Sequence, residues 1–331
     1  MNLKFWLKAI QIIPRINREE WDQLDIISRW LVATRAAALF YSLFCSIIAG
    51  LLAARDGMFD LNRWLLLTIG LVFAHATNNL LNDLTDYRKG VDVDNYFRTR
   101  YGPQPIQQGL MSIRQNLIYS AITGMIALAA GLPLVILSGK LGWILLITGI
   151  ILVLFYTYPL KYIGLGEIAV LLVWGPLMVG GGYYVISGVW SWPVVLISIP
   201  FALGTTTTIF GKHIDKVDED KTKHIHTLPV IIGEKPARIA DLVMMLLMYL
   251  IVIYLVTAQY LSPWILIVLL ALKVIPKVVL VFHHPKPDNE PAGYPPGIWP
   301  LYYVASAFYH SRIYGALFMA GLALDLIFRV N

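Results

Sequence analysis

Apolar residues run along this chain in blocks of about 20, the length that carries a helix across a hydrocarbon core of ~30 Å. The blocks fall at residues 31–54, 64–84, 115–138, 141–159, 165–187, 190–211, 238–258, 262–283 and 311–329. They predict an all-α polytopic membrane protein with nine transmembrane helices. Residues 299–310 read either as an interfacial helix or as the start of the last span. Before the first block, Phe5, Trp6, Ile10, Ile12 and Ile13 are interrupted by Lys8, Gln11 and Pro14. That pattern predicts a short interfacial helix rather than a cleaved signal. The chain divides into an N-terminal interfacial segment, 1–30, and a single transmembrane domain, 31–331.

One block breaks its own rule. At the end of the second span stand Asn79, Asn82, Asp83 and Asp86, spaced i, i+3, i+4 and i+7, so on a helix they form one polar stripe. A carboxylate at the bilayer centre costs roughly 2.5–3.5 kcal/mol even on insertion scales. The stripe is therefore expected to face a cavity.

Composition supports the membrane reading: 58% of the 331 residues are hydrophobic and 14% charged, and the mean hydropathy is +0.67, against roughly 25% charged in soluble domains. The single cysteine, Cys45, excludes an intramolecular disulfide and a cysteine-cluster metal site. The net charge of +6 is mostly a topology signal. With the N-terminus cytoplasmic, one side keeps only Arg55, Arg63, Lys140 and Arg329, Arg35, Lys273 and Lys277 lie within spans, and the remaining bases, Arg312 included, fall on the cytoplasmic side. That places the chain in the cell (inner) membrane with its long loops cytoplasmic. It offers no basic face for nucleic acid.

Two cytoplasmic connections are long, residues 85–114 and 212–237, and loops of that size are commonly functional. The first carries Asp86, Arg88, Lys89, Asp92 and Asp94. The second carries Lys212, His213, Asp215, Lys216, Asp218, Glu219, Asp220 and Lys221. Two carboxylate clusters flanked by lysines and arginines are the ingredients for holding Mg²⁺ against phosphates: magnesium takes hard oxygen ligands, and the bases take the phosphate oxygens it does not reach. Beside an apolar membrane cavity, the combination suggests transfer of a lipid-like group from its diphosphate. His213, His224 and His226 lack a two-histidine helical ligand spacing and read as surface residues.

These motifs resemble the UbiA-type membrane prenyltransferases, and within them the 1,4-dihydroxy-2-naphthoate polyprenyltransferases of menaquinone synthesis. The first family motif is matched by Asn82-Asp83-x-x-Asp86-x-x-x-Gly90-x-Asp92. The second is matched by Asp215 to Asp220 leading into Thr227-Leu228-Pro229. Between them lie Tyr156 to Glu167 and Trp174-Gly175-Pro176. The chain departs from the pattern in three places. The outer aspartates of the second motif are five apart with Asp218 and Glu219 between them, Gln104 stands where relatives often have arginine, and His224-Ile225-His226 replaces a glycine and basic residues.

The resemblance implies nine helices around a central cavity capped by cytoplasmic loops, a polyprenyl diphosphate donor, an aromatic acceptor and Mg²⁺. It implies that Asn82, Asp83, Asp86 and Asp92 hold one metal and Asp215, Asp218 and Asp220 a second. Asn79, Arg88, Lys89, Lys161, Lys212 and Lys216 are the candidate substrate-binding groups. Tyr156 and Tyr158 either stabilise an allylic cation through their π faces, worth up to ~2 kcal/mol, or are interfacial aromatics. Lys273 and Lys277, one turn apart, either snorkel or line the cavity mouth. Rival readings keep the donor chemistry with 4-hydroxybenzoate, a porphyrin, or a lipid or sugar phosphate as acceptor. A transporter would place its site near the midplane among broken helices, whereas the acids here stand at span ends.

Overall fold

The computed structural model describes residues 3–91, 93, 102–295 and 298–328, and among these it is helical throughout save for turns, loops and one isolated bridge between Ile163 and His226. Three short helices open the chain: α1 (Leu3–Gln11), α2 (Arg18–Gln23) and α3 (Ile26–Ala33). The long ones follow: α4 (Ala36–Arg55), α5 (Leu61–Arg88), α6 (Ile113–Phe155), α7 (Gly166–Ser187) and α8 (Trp192–Ile214). Two short pieces, α9 (Val217–Thr222) and α10 (Leu228–Ile232), precede α11 (Glu234–Thr257), α12 (Pro263–His283) and α13 (Tyr303–Ile327).

Seven of the described helices, α4 to α8, α11 and α12, are long and apolar enough to cross a membrane. The 43-residue α6 is two helices bent at Gly139, whose φ of 69° and ψ of −153° break the ladder in a region open to glycine. The 25-residue α13 is less apolar but as long as the others. Counted this way, the described helices match the predicted nine spans and form an all-α, multi-pass membrane protein. Of the two readings of residues 299–310, the structure has the second: the last span starts at Tyr303. Arg312, assigned above to a cytoplasmic segment, therefore sits nine residues inside a helix, ~13 Å from its end at 1.5 Å per residue.

The helix starts follow local chemistry. Asn17 and Glu20 form a capping box on α2, and Ser112 and Gln115 form another on α6. Asp25, Asp60 and Ser191 cap α3, α5 and α8. In α7 the turns widen over Val173–Gly180 around Pro176, which has no N–H to give the ladder. Helix α8 is the axis, with 78% of its apolar window buried, whereas α6 is outermost at 17% and keeps its apolar side chains for lipid.

The N-terminal segment lies across the bundle's charged end. Trp6 donates its indole N–H to Asp25 and Ser28, and Ile12 to Arg15 line the mouth of the central cavity. On the outside, Lys273 and Lys277 are exposed and line no part of that cavity, which removes the cavity-mouth alternative for both.

Candidate active site

Because α5 is one unbroken helix through Arg88, the stripe keeps its spacing, and Asn78, Asn79, Asn82 and Asp86 all line the cavity. Each is fixed by a different neighbour. The Asn78 amide donates to the Val153 carbonyl at 2.9 Å and that of Asn79 to the Thr34 carbonyl at 2.7 Å. Asn82 donates to the Thr157 hydroxyl at 2.9 Å and accepts from Arg35 at 3.5 Å. Asp83, on the same stripe, is buried beside the cavity. It faces the Arg35 guanidinium at 3.7 Å and accepts from the Ile106 N–H at 3.4 Å, tying down the segment after residue 102. Asp92 lies outside the described residues.

Asp86 meets the Lys161 ammonium at 3.2 Å, with both side chains buried. Lys161 is delivered by the turn after α6, where its N–H donates to the Tyr156 carbonyl at 3.0 Å. Tyr156 lines the cavity, and its hydroxyl is held protonated by burial and then by the negative charges of Glu167 and Asp86. Tyr158, two residues on, is outside. Its ring is half exposed and takes the Lys89 ammonium 3.9 Å from its centroid, so this cation–π pair lies on the surface rather than in the cavity. Arg88 is exposed beside them.

The second cluster is dispersed because α8 ends at Ile214, just before it. Asp215 accepts hydrogen bonds at 3.0 Å from the N–H groups of Tyr302, Tyr303 and Val304, and Lys286 stands 3.7 Å away. It closes the otherwise uncapped start of α13. Burial, only partly offset by Lys286 and those N–H groups, pushes its carboxyl up to about 6. Asp218 is 95% exposed and pairs loosely with Lys221 at 3.8 Å. Asp220 is buried on α9. One oxygen takes the Lys216 ammonium at 2.9 Å, and the other is buried with no hydrogen-bond partner. Lys216 and Lys212 both line the cavity. Lys223 donates to the carbonyls of Gly90 and Val93, joining the two acidic loops.

The cavity they surround measures about 1460 Å³. Among the described residues, Lys8, Arg15, Arg35, Lys161, Lys212, Lys216 and Arg312 line it, against the single acid Asp86. Its other end is apolar, between α5, α6 and α7, where Gly70, Gly124, Gly131, Gly149, Gly181 and Gly182 thin the wall. A side chain at 149 would meet nothing within 4 Å.

Several residues of this wall were not singled out above. Arg35 sits at a left-handed turn (φ 53°) between α3 and α4, placed to reach Asn82 and Asp83. The buried Glu167 accepts from His213 Nδ1 at 2.6 Å and from the Leu228 N–H at 3.2 Å, so His213 is a cavity residue rather than a surface one. The signal for Arg35 was a charge inside an apolar block; the Glu167–His213 pair, 46 residues apart, left no local one.

Among the described residues no group of three His, Cys, Asp or Glu side chains stands close enough to hold a metal ion by itself. The donors present do fit magnesium that is shared with a substrate, which needs one or two carboxylates and completes its shell with phosphate oxygens and water. Asp86 and the Asn82 carbonyl face the cavity, and Asp220 has a buried oxygen to give.

Residues 42–323 match the model of the UbiA prenyltransferase family. The chain belongs to that family. Among curated relatives of this UbiA chain, the UbiA prenyltransferase domain-containing protein 1 homologue of Drosophila melanogaster is 26% identical over 64% of the chain and 60% of its own length. The zebrafish protein, Danio rerio, is 27% identical over 66% of each. The matched part thus spans somewhat under two thirds of these relatives. The 1,4-dihydroxy-2-naphthoate octaprenyltransferase of Escherichia coli is 28% identical over 66% of the chain and 72% of its own length. Among solved structures, a UbiA homologue from Aeropyrum pernix K1 shares the fold at a TM-score of 0.61 and 20% identity, over 87% of this chain and 98% of that one. One from Archaeoglobus fulgidus, bound to GPP and Mg²⁺, shares it at 0.58 and 16%, over 89% and 99%.

Proposed function

We propose that this UbiA-family protein transfers a prenyl group from its diphosphate to an aromatic acceptor, with 1,4-dihydroxy-2-naphthoate as acceptor and menaquinone synthesis as its setting. The observation that carries the reading is the cationic cavity end, where Lys161 meets Asp86, continuous with an apolar slot. Cations there suit a diphosphate, and the slot suits a hydrocarbon tail. A GPP- and Mg²⁺-bound neighbour and a dihydroxynaphthoate-using relative support the same assignment.

In this mechanism Lys161, Lys212, Lys216 and Arg35 grip the diphosphate oxygens. Asn82, Asp83, Asp86 and Asp220 are the residues that would hold magnesium, which when bound stabilises charge on the departing diphosphate. Breaking the allylic C–O bond leaves the electron pair on the diphosphate and an allylic cation in the slot. The Tyr156 and Trp174 faces stabilise that cation, and the apolar wall keeps water from quenching it. The ring's electron pair then forms the new C–C bond, and the ring rearomatises when that carbon releases its proton, or its carboxylate as CO₂, leaving the bonding pair in the ring. Asp215 serves by holding α13 in place. The N-terminus and both acidic loops face the cytoplasm, in keeping with the bias of basic residues toward that side.

The test is prenyl transfer by purified protein with radiolabelled geranyl or farnesyl diphosphate, Mg²⁺ and a panel of dihydroxynaphthoate, 4-hydroxybenzoate and a glycerol phosphate. Magnesium-dependent product with dihydroxynaphthoate alone is expected. Product with another acceptor would overturn the pathway and keep the chemistry, and failure to bind any diphosphate would overturn both.

A further inference from the structure

An arginine well inside a membrane helix calls for an explanation, since it costs roughly 2.5–3.5 kcal/mol at the bilayer centre unless something receives it. Arg312 is such a residue. It lies on α13, lines the cavity, is exposed there, and makes no ion pair or hydrogen bond among the described residues. Other cavity cations are already engaged: Arg35 with Asp83, Lys161 with Asp86 and Lys216 with Asp220.

What surrounds Arg312 is aromatic. Phe308, one turn earlier on α13, is 42% exposed and meets the Tyr41 ring of α4 edge-on at 6.4 Å. Tyr41 in turn meets Trp174 at 5.6 Å. The Tyr41 hydroxyl lies within electrostatic reach of the Arg312 guanidinium. Arg312, Phe308, Tyr41 and Trp174 all line the one cavity. The diphosphate cations Lys161, Lys212 and Lys216 stand at or beyond helix ends, whereas Arg312 is more than two turns inside its helix. The glycine-thinned slot for a hydrocarbon tail runs between α5, α6 and α7, whereas Arg312 and Phe308 stand on α13 and Tyr41 on α4.

We infer that Arg312 and the Tyr41–Trp174–Phe308 ring cluster form the acceptor subsite, and that the acceptor is a planar aromatic anion whose carboxylate is taken by the Arg312 guanidinium. The planar fork of an arginine matches a carboxylate in two parallel hydrogen bonds. Flat rings beside it match the aromatic body. An apolar tail satisfies neither feature. This subsite rests on the prenyl-transfer reading for its role, and on the geometry alone for its ligand class.

The test separates the two. Binding of an aromatic carboxylate, 1,4-dihydroxy-2-naphthoate, and of its carboxylate-free counterpart, 1,4-naphthalenediol, is measured by calorimetry on the full chain in detergent, for wild type, Arg312→Gln and Arg312→Lys. Wild type is expected to prefer the carboxylate. Arg312→Gln should erase about ten- to hundredfold of that preference, and Arg312→Lys should keep part of it, because a lysine supplies the charge without the fork. A preference unchanged in Arg312→Gln, or absent in wild type, overturns the subsite; an arginine there merely to hold a lipid phosphate would give that result. Arg312-dependent carboxylate binding without any prenyl transfer would overturn the proposed function and leave the subsite standing.

Discussion

The two acidic clusters have the same residue types at similar spacing, yet they fold into different things. On α5 the helix runs on through Arg88, so Asn79, Asn82 and Asp86 stay on one face and reach the cavity together. After α8 the helix has already ended, and the acids are dealt out singly: Asp215 to the backbone of α13, Asp218 to solvent, Asp220 to Lys216. Spacing in sequence predicts a shared face only while the secondary structure is unbroken. Between the clusters runs Lys223, whose ammonium donates to the Gly90 and Val93 carbonyls, while the Glu167–His213 pair ties the end of α8 to α7.

The sharpest way to break this contrast is Asp86→Asn. Removing the one carboxylate that lines the cavity among the described residues should lower prenyl transfer by about 10³-fold, the scale of losing a charge-stabilising group, while Asn still accepts from Lys161 and the unfolding temperature stays close to wild type. Loss of the fold instead would make Asp86 a structural residue like Asp215. Asp220→Asn should cost less, about 10- to 100-fold, and should appear as weaker magnesium dependence in a titration of the metal.

Asp215→Ala reverses the weighting. It strips the acceptor from three N–H groups, that of Tyr303 buried and the other two partly so, and should destabilise the protein by about 3 kcal/mol, read in chemical or thermal unfolding. The folded fraction should still bind donor. The carboxyl also has a pH signature. Its folded value of about 6 lies above the ordinary 3.8, so the folded state binds the extra proton. Stability from this group is therefore greatest below about pH 4, falls as pH rises towards 6, and is flat above. Asp215→Asn should remove that slope. Asp218→Asn should change neither activity nor stability by more than about 0.5 kcal/mol, as befits a solvated side chain; a large loss of activity there would restore Asp218 as a metal ligand.

Much of this molecule was legible in advance because lipid imposes simple rules. Block length gave the helices, and the break between residues 138 and 141 falls on the Gly139 bend. A polar stripe in an apolar block located the first half of the site, and Lys161 was found through the motif around Tyr156. Long-range pairing was not legible. Nothing local to Asp215 announces that it will cap a helix beginning at Tyr303, or that Tyr158 will turn outward while Tyr156 turns in. Arg312 was misplaced for a different reason. The first two turns of α13, rich in Tyr, Ser and His, dilute the hydropathy that marks a span, so residues 299–310 read either way and Arg312 fell at a boundary.

The imbalance of charge on the cavity wall also dictates an order of assembly. Seven lysine and arginine side chains line the described wall, three of them paired with Asp83, Asp86 and Asp220, and the surplus gives it a positive potential that repels a bare divalent ion and draws an anion. A diphosphate carrying one magnesium ion would keep a net negative charge and would meet no such barrier. Metal and donor should therefore arrive as one passenger, and turnover should follow the concentration of that complex rather than of the free ion.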